Sequence, residues 1–201
     1  MNKYLVIDTE TSGLFDFSKP ADAEGQPRMA SMAMIYLDED LDVVDESMHY
    51  IKPVGWEMSE AVTKINGLTT DFLLKAGEPI ESVLYEYVDA IDQGLILVAF
   101  NAQFDSKVLR GELRRAGIPD RFETTPNICT MRAATNICKI PKKTGYGFKF
   151  PKLAEACKFF NIKQEAEHTA LDDARACVGV LKNLVALGLC PEPEVHHAKG
   201  V

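Results

Sequence analysis

Residues 95–100 read LILVAF, an unbroken apolar run of strand length. A strand that is apolar on both sides must be covered on both sides, which calls for helices above and below a sheet. The next segment meets that demand. Residues 102–116 carry an apolar stripe at Val108, Leu109, Leu113 and Ala116, and Gly117 and Pro119 stop the helix. Upstream, residues 4–7 (YLVI) read as a short buried strand. Residues 29–37 and 43–51 read as two strands joined by the acidic turn 38–42, a hairpin. The segments 59–66, 69–75 and 80–91 follow as helices, and 127–130 as a last short strand. Residues 151–160 and 170–187 are helical, the second ended by Gly188. Strands first, then strands alternating with helices, predict a mixed α/β layer structure.

The chain has 201 residues, enough for one domain with a sizeable core. That domain is expected over 1–188, with 189–201 as a short frayed tail. No apolar run reaches the length of a membrane span. The first residues lack a basic segment and a cleavage signal, so a cytoplasmic location is expected. Five cysteines are scattered without Cys-x-x-Cys spacing, which argues against a disulfide framework and against a zinc site. The net charge of −8 counts against coating nucleic acid by long-range attraction. It leaves room for an enzyme that grips a few phosphates, because bound cations reverse the charge locally.

The strand at 4–7 leads into Asp8-Thr9-Glu10-Thr11-Ser12-Gly13-Leu14. Residues i and i+2 of a strand share a face, so Asp8 and Glu10 aim at one point. Two carboxylates there repel each other unless a cation lies between them, and hard cations suit oxygen ligands. Asp105 sits three residues before Val108 and four before Leu109, on the stripe of its helix. It reads either as an inward acid that needs a metal or a partner, or as a first-turn acid near the surface. Asn101 is placed to cap that helix. At the last helix, Thr169 with Asp172 resembles a capping box, which turns Asp172 outward. Asp173 shares the stripe of Cys177, Val180, Leu181 and Leu184 and turns inward. His168 precedes the cap, in a loop beside the inward acid.

Taken together, Asp8-x-Glu10, Asn101-x-x-Phe104-Asp105 and His168-x-Ala170-x-x-Asp173 resemble the three motifs of the DEDDh (DnaQ-like) 3′–5′ exonucleases, in order and in internal spacing. Asn66-Gly67-Leu68-Thr69 resembles a further segment of that family. The resemblance spans residues 4–187. It implies a ribonuclease H-like fold, with an antiparallel meander, added parallel strands and flanking helices. It implies that Asp8, Glu10 and Asp173 hold one Mg²⁺ or Mn²⁺, that Asp8 and Asp105 hold a second, and that His168 is the general base. Thr9, Thr11, Gly13, Leu14, Asn101 and Phe104 would hold the terminal nucleotide. The implied activity is release of 5′-nucleoside monophosphates from single-stranded or frayed 3′ ends, with DNA favoured over RNA. Asn66 and Phe100 stand where many members have His. The loop 15–28 is longer than in compact members, and would screen the site or admit a particular end structure.

Three alternatives remain open on the sequence: a polymerase proofreading subunit, an RNA 3′-end trimming ribonuclease, and a non-catalytic nucleic-acid-binding module. All four carboxylates and the histidine are present, which disfavours the last. A stand-alone nuclease is favoured over a replicative subunit, since no docking peptide is evident near the last helix. A homodimer stays open. Residues 139–152 hold five lysines and no acid, with Tyr146, Phe148 and Phe150 among them. That segment reads either as a grip on a nucleic-acid strand or as a solvated loop.

Overall fold

Tyr4–Thr11 form β1, the strand on which the rest of the sheet is laid. The structure, a computed structural model, describes residues 3–164 and 169–195. β1 pairs antiparallel with β2 (Met29–Leu37), and β2 pairs antiparallel with β3 (Val43–Tyr50). The expected hairpin is therefore present. Its acidic turn closes on itself, with the Asp38 carboxylate accepting the N–H groups of Asp40 and Asp42. On its other side β1 runs parallel to β4 (Ile96–Ala99), which runs parallel to β5 (Pro126–Cys129). A two-residue strand, β6 (Glu194–Val195), pairs antiparallel at the edge, giving the order β3-β2-β1-β4-β5-β6. A meander extended by parallel strands is the sheet of the ribonuclease H-like fold, as expected.

The helices are α1 (Glu60–Asn66), α2 (Thr70–Ala76), α3 (Ile80–Asp92), α4 (Ala102–Arg115), α5 (Thr130–Cys138), α6 (Leu153–Phe160) and α7 (Ala170–Ala186). Two elements differ from the sequence reading. α5 was not expected, because its Thr, Asn and Ile residues are weak helix formers. Tertiary burial supplies what propensity does not: Ala134 and Thr130 are fully buried, and Met131 N–H donates to the Phe100 carbonyl. β6 lies in the segment expected to fray, and it is held there as Asn127 Nδ2 donates to the Glu194 carbonyl at 3.0 Å. A two-residue strand leaves no periodic signal. Among the described residues no helix is long and apolar enough to cross a membrane.

The parity of β1 organises both faces. Leu5 and Ile7 point into one core, with Met32, Met34, Leu97 and the inner faces of α3 and α4. Val6 points into the other, with Ala33, Ile35, Val98, Ile128 and the inner face of α7. All three β1 side chains are fully buried, each worth about 2 kcal/mol. A slip of one residue would invert every side chain, so the register is firmly set. Beyond Ile7 the same parity continues into polar residues. Asp8 and Glu10 follow Val6 onto the α7 face, and Thr9 and Thr11 follow Ile7 onto the α4 face. The β1/β2 register shifts between Glu10 and Thr11, where the strand leaves the ladder.

Candidate active site

The end of β1 and the start of α7 bring three carboxylates together. One oxygen each from Asp8, Glu10 and Asp173 lies within 4.8 Å of the others. Asp173 arrives through the α7 cap, where Thr169 Oγ1 accepts the Asp172 N–H. The neighbouring acids separate as expected: Asp172 accepts from the Thr169 hydroxyl and pairs with Arg175, while Asp173 joins the cluster. The cap differs in detail from a capping box, since the Asp172 carboxylate meets the Thr169 hydroxyl at 2.7 Å.

Asp105 approaches from the other face of the strand. It is buried in the first turn of α4, which settles the two readings of this residue in favour of the inward one. Its Oδ1 accepts from Thr9 N–H at 3.0 Å and from Thr9 Oγ1 at 2.8 Å. It therefore stands beside the three-acid cluster, held by the strand residue between Asp8 and Glu10. Burial raises the Asp105 carboxyl to about 7, and the Thr9 hydrogen bonds partly offset the shift. Burial also raises Asp8 well above the ordinary carboxylate range, and the charges of Asp105, Asp173 and Glu10 push it further. A group of acids this close and this poorly solvated is a poor structure for bare anions and a good one for divalent cations. The donor set, all carboxylate oxygen, fits Mg²⁺ or Mn²⁺.

Two supporting amides escaped the sequence reading. Asn66 Nδ2 reaches Glu10 Oε2 at 3.3 Å and the Thr11 carbonyl at 3.4 Å, while its Oδ1 accepts Leu68 N–H. Gln164 Nε2 donates to Asp173 Oδ1 at 3.0 Å. Asn66 was visible as the start of a family-like segment and as a departure from the histidine many members have there, but not as a partner of Glu10, and Gln164 carries no local signal at all.

The residues expected around a terminal nucleotide differ in exposure and in local bonding. Leu14 is 91% exposed. Phe104 is half-buried and meets Phe15 edge-on, with ring centroids 5.9 Å apart. The Thr11 hydroxyl donates to the Gly13 carbonyl, so this buried side chain shapes the turn. Asn101 occupies the cap position of α4 without a side-chain capping bond, unlike the sequence expectation. Its backbone carbonyl takes the Phe104 N–H, and its ψ of 70° differs from that of an ordinary cap. His168 lies outside the described residues.

The loop 15–28 is clamped to α4. Glu112, 2% exposed, accepts from Arg28 Nε and Nη2, from Met29 N–H and from Arg115 Nη1. Gln26 bridges the Asp16 and Pro20 carbonyls, and Lys107 Nζ donates to the Lys19 carbonyl. Gly111 permits the close approach, because a Cβ there would lie 2.6 Å from the Ala21 carbonyl oxygen. Glu112 falls seven residues after Asp105, on the same helical face. That spacing was the available sequence signal for a second buried acid.

Comparison with known proteins agrees with this geometry. Residues 5–181 match the RNase T family model, described as Exonuclease. The PolC-type DNA polymerase III of Lactococcus lactis subsp. lactis is 30% identical over 173 residues, which is 86% of this chain and 9% of the polymerase. The chain thus spans about a tenth of the length of the curated relatives it matches. Among solved structures, E. coli Exonuclease I in complex with a dT13 oligonucleotide superposes with a TM-score of 0.74 at 19% identity, over 92% of this chain and 41% of that one. The nuclease domain of 3′hExo, a DEDDh family member bound to rAMP, superposes with a TM-score of 0.73 at 16% identity, over 96% of both chains. At such identities the structural likeness establishes the fold, while the family match covers most of the sequence: the chain belongs to the RNase T exonuclease family, with Asp8, Glu10 and Asp173 clustered on a ribonuclease H-like sheet and Asp105 buried beside them.

Proposed function

We propose that this chain is a divalent-metal-dependent 3′–5′ exonuclease that releases 5′-nucleoside monophosphates from single-stranded or frayed 3′ ends, with DNA favoured over RNA. The observation that carries the reading is the convergence of Asp8, Glu10 and Asp173 within 4.8 Å, with Asp105 buried alongside. Asp8, Glu10 and Asp173 would hold one Mg²⁺ or Mn²⁺, and Asp8 with Asp105 would share a second. When bound, such ions supply charge neutralisation at the phosphate and make water nucleophilic at neutral pH.

The protein's own groups do the rest. Thr9 fixes the Asp105 carboxylate, and Asn66 and Gln164 orient Glu10 and Asp173. Leu14 stands free to wedge beside the terminal base, and Phe104 offers a ring edge that Phe15 holds in place. Such contacts tolerate any base, so sequence preference should be low. His168 is assigned by its motif as the base that accepts the proton of the attacking water, leaving the sugar oxygen of the penultimate nucleotide as the leaving group. The 30% identity to PolC-type polymerases favours one second reading, an exonuclease module that works within or beside a polymerase.

The test is purified protein with Mg²⁺ on 3′- and 5′-labelled DNA and RNA strands, with Asp8→Ala and His168→Ala in parallel. Expected are mononucleotides from the 3′ end, faster on DNA, and near-complete loss in both variants and in EDTA. Hydrolysis that persists in EDTA, or that survives Asp8→Ala, would remove the metal-dependent mechanism.

A further inference from the structure

The lysine-rich segment between α5 and α6 is folded. Lys139, with a φ of 50°, ends α5 in the left-handed conformation. The chain then turns back on itself, with Lys149 N–H donating to the Ile140 carbonyl and Lys142 N–H to the Gly147 carbonyl. Pro141 and Phe148 form an antiparallel bridge. Gly145 and Gly147 have φ of 80° and 90°, a bend that side-chain-bearing residues resist. The result is a small hairpin anchored at its base by Lys149, whose ammonium pairs with Glu155 in the first turn of α6.

What this hairpin displays is unusual for a surface. Tyr146 is completely exposed, and Phe148 and Phe150 are 37% and 57% exposed. Lys142 and Lys143 form no ion pair among the described residues, and no acid lies between 139 and 152. Exposed rings interleaved with uncompensated ammonium groups suit a ligand that is itself flat, apolar on its faces and anionic along its length. In a chain of net charge −8, such a local surplus of positive charge selects an anionic partner.

We propose that the 140–150 hairpin is a binding site for single-stranded nucleic acid, which holds the strand upstream of its 3′ end. This deepens the nuclease reading and rests on it for which end lies in the active site. The position fits. α5 starts beside the site, where Thr130 Oγ1 lies 3.4 Å from Cys177 Sγ, one turn along α7 from Asp173. Nine residues of helix then carry the chain about 13 Å along its axis before the hairpin begins. A terminal nucleotide at the carboxylates does not span that distance, whereas a longer strand does. Ring stacking would be indifferent to base identity, and the lysines would follow the phosphates.

The test is binding of fluorescein-labelled oligo-dT to the intact protein in EDTA, where hydrolysis is blocked, by anisotropy across a salt series. Tyr146→Ala/Phe148→Ala should weaken a 20-mer by roughly 10-fold or more. Lys142→Ala/Lys143→Ala should reduce the slope of log K against log salt by about 1.4. A 3-mer should show neither loss. Unchanged 20-mer affinity and slope in both variants would overturn the hairpin site and leave the face to a protein partner or to solvent. The outcome is independent of the nuclease reading, because binding is read without turnover. Hairpin-dependent binding by a protein that hydrolyses nothing would keep the site and reject the nuclease.

Discussion

Asp105→Asn should stabilise the metal-free protein at neutral pH while destroying its use as an enzyme. Asparagine keeps an acceptor oxygen for the Thr9 N–H and hydroxyl, so the local hydrogen bonds survive. What it removes is a carboxyl raised from the ordinary 3.8 to about 7, mainly by burial. The sign follows from where the proton sits. Between those two values the unfolded chain is ionised and the folded chain is protonated, so folding takes up a proton and stability falls as pH rises. The loss is up to about 1.4 kcal/mol per pH unit and about 4 kcal/mol in total, complete about one unit above pH 7 and flat beyond that. Asp8 is raised for the same reasons and steepens the fall. Against a typical stability of about 5–15 kcal/mol this is a large fraction. Urea unfolding in EDTA at pH 5 to 8, followed by emission of the sole tryptophan, Trp56, which packs against the core, reads it directly. The variant should gain up to about 4 kcal/mol over the parent at pH 8, and the two curves should converge towards pH 4. Divalent cation at a hundred times its Kd should restore about 2.7 kcal/mol to the parent and less to the variant. Parallel pH curves for the two proteins, or a variant less stable at pH 8, would refute the reasoning.

Two further substitutions test the supports of the site. Glu112→Ala leaves the Arg28 and Arg115 guanidinium groups and the Met29 N–H without their buried acceptor, and should cost about 3–5 kcal/mol in denaturant unfolding. Proteolysis within residues 15–28 should accelerate in the same variant, and an unchanged cleavage rate would mean that other contacts hold the loop. Asn66→Ala should weaken Mn²⁺ binding by about 10-fold in calorimetric titration, since it frees Glu10 from its orienting amide; unaltered affinity would reduce Asn66 to a residue that only closes the end of α1.

Much of the architecture was written in short-range pattern. The LILVAF run, the hairpin around the acidic turn and the stripes of α4 and α7 are periodic features, and each became the expected element. The inward turn of Asp173 was legible for the same reason, because a stripe predicts direction, whereas the stripe of Asp105 left open a surface reading that its burial excludes. α5 was not, since Thr130, Thr135, Asn136 and Ile137 are weak helix formers and no capping side chain marks its start; its short stripe is buried against the α7 core. The supporting amides were invisible in a different way. Asn66 and Gln164 lie 56 and 9 residues from the acids they touch, one at the end of α1 and one between α6 and α7, and no local pattern gives their partners. Glu112 shows the middle case, a residue whose direction could be read while its partners, Arg28 and Met29 N–H, could not.

The site's asymmetry has its origin in the two-residue period of a strand. Four acids of similar chemistry converge on the end of β1, yet they do not arrive as equals. Asp8 and Glu10 share a face with α7, so Asp173 joins them directly. α4 packs on the other face, so its acid meets the intervening residue first, and Thr9 takes the Asp105 Oδ1 with both its N–H and its hydroxyl. A hydrophobic residue at position 9 would satisfy the core as well as threonine does and would keep the backbone N–H, but it would take the hydroxyl away from Asp105 Oδ1. The threonine therefore belongs to the site as much as the acids on either side of it. Its hydroxyl adds a second donor to Asp105 Oδ1 and offsets part of what burial costs that carboxylate.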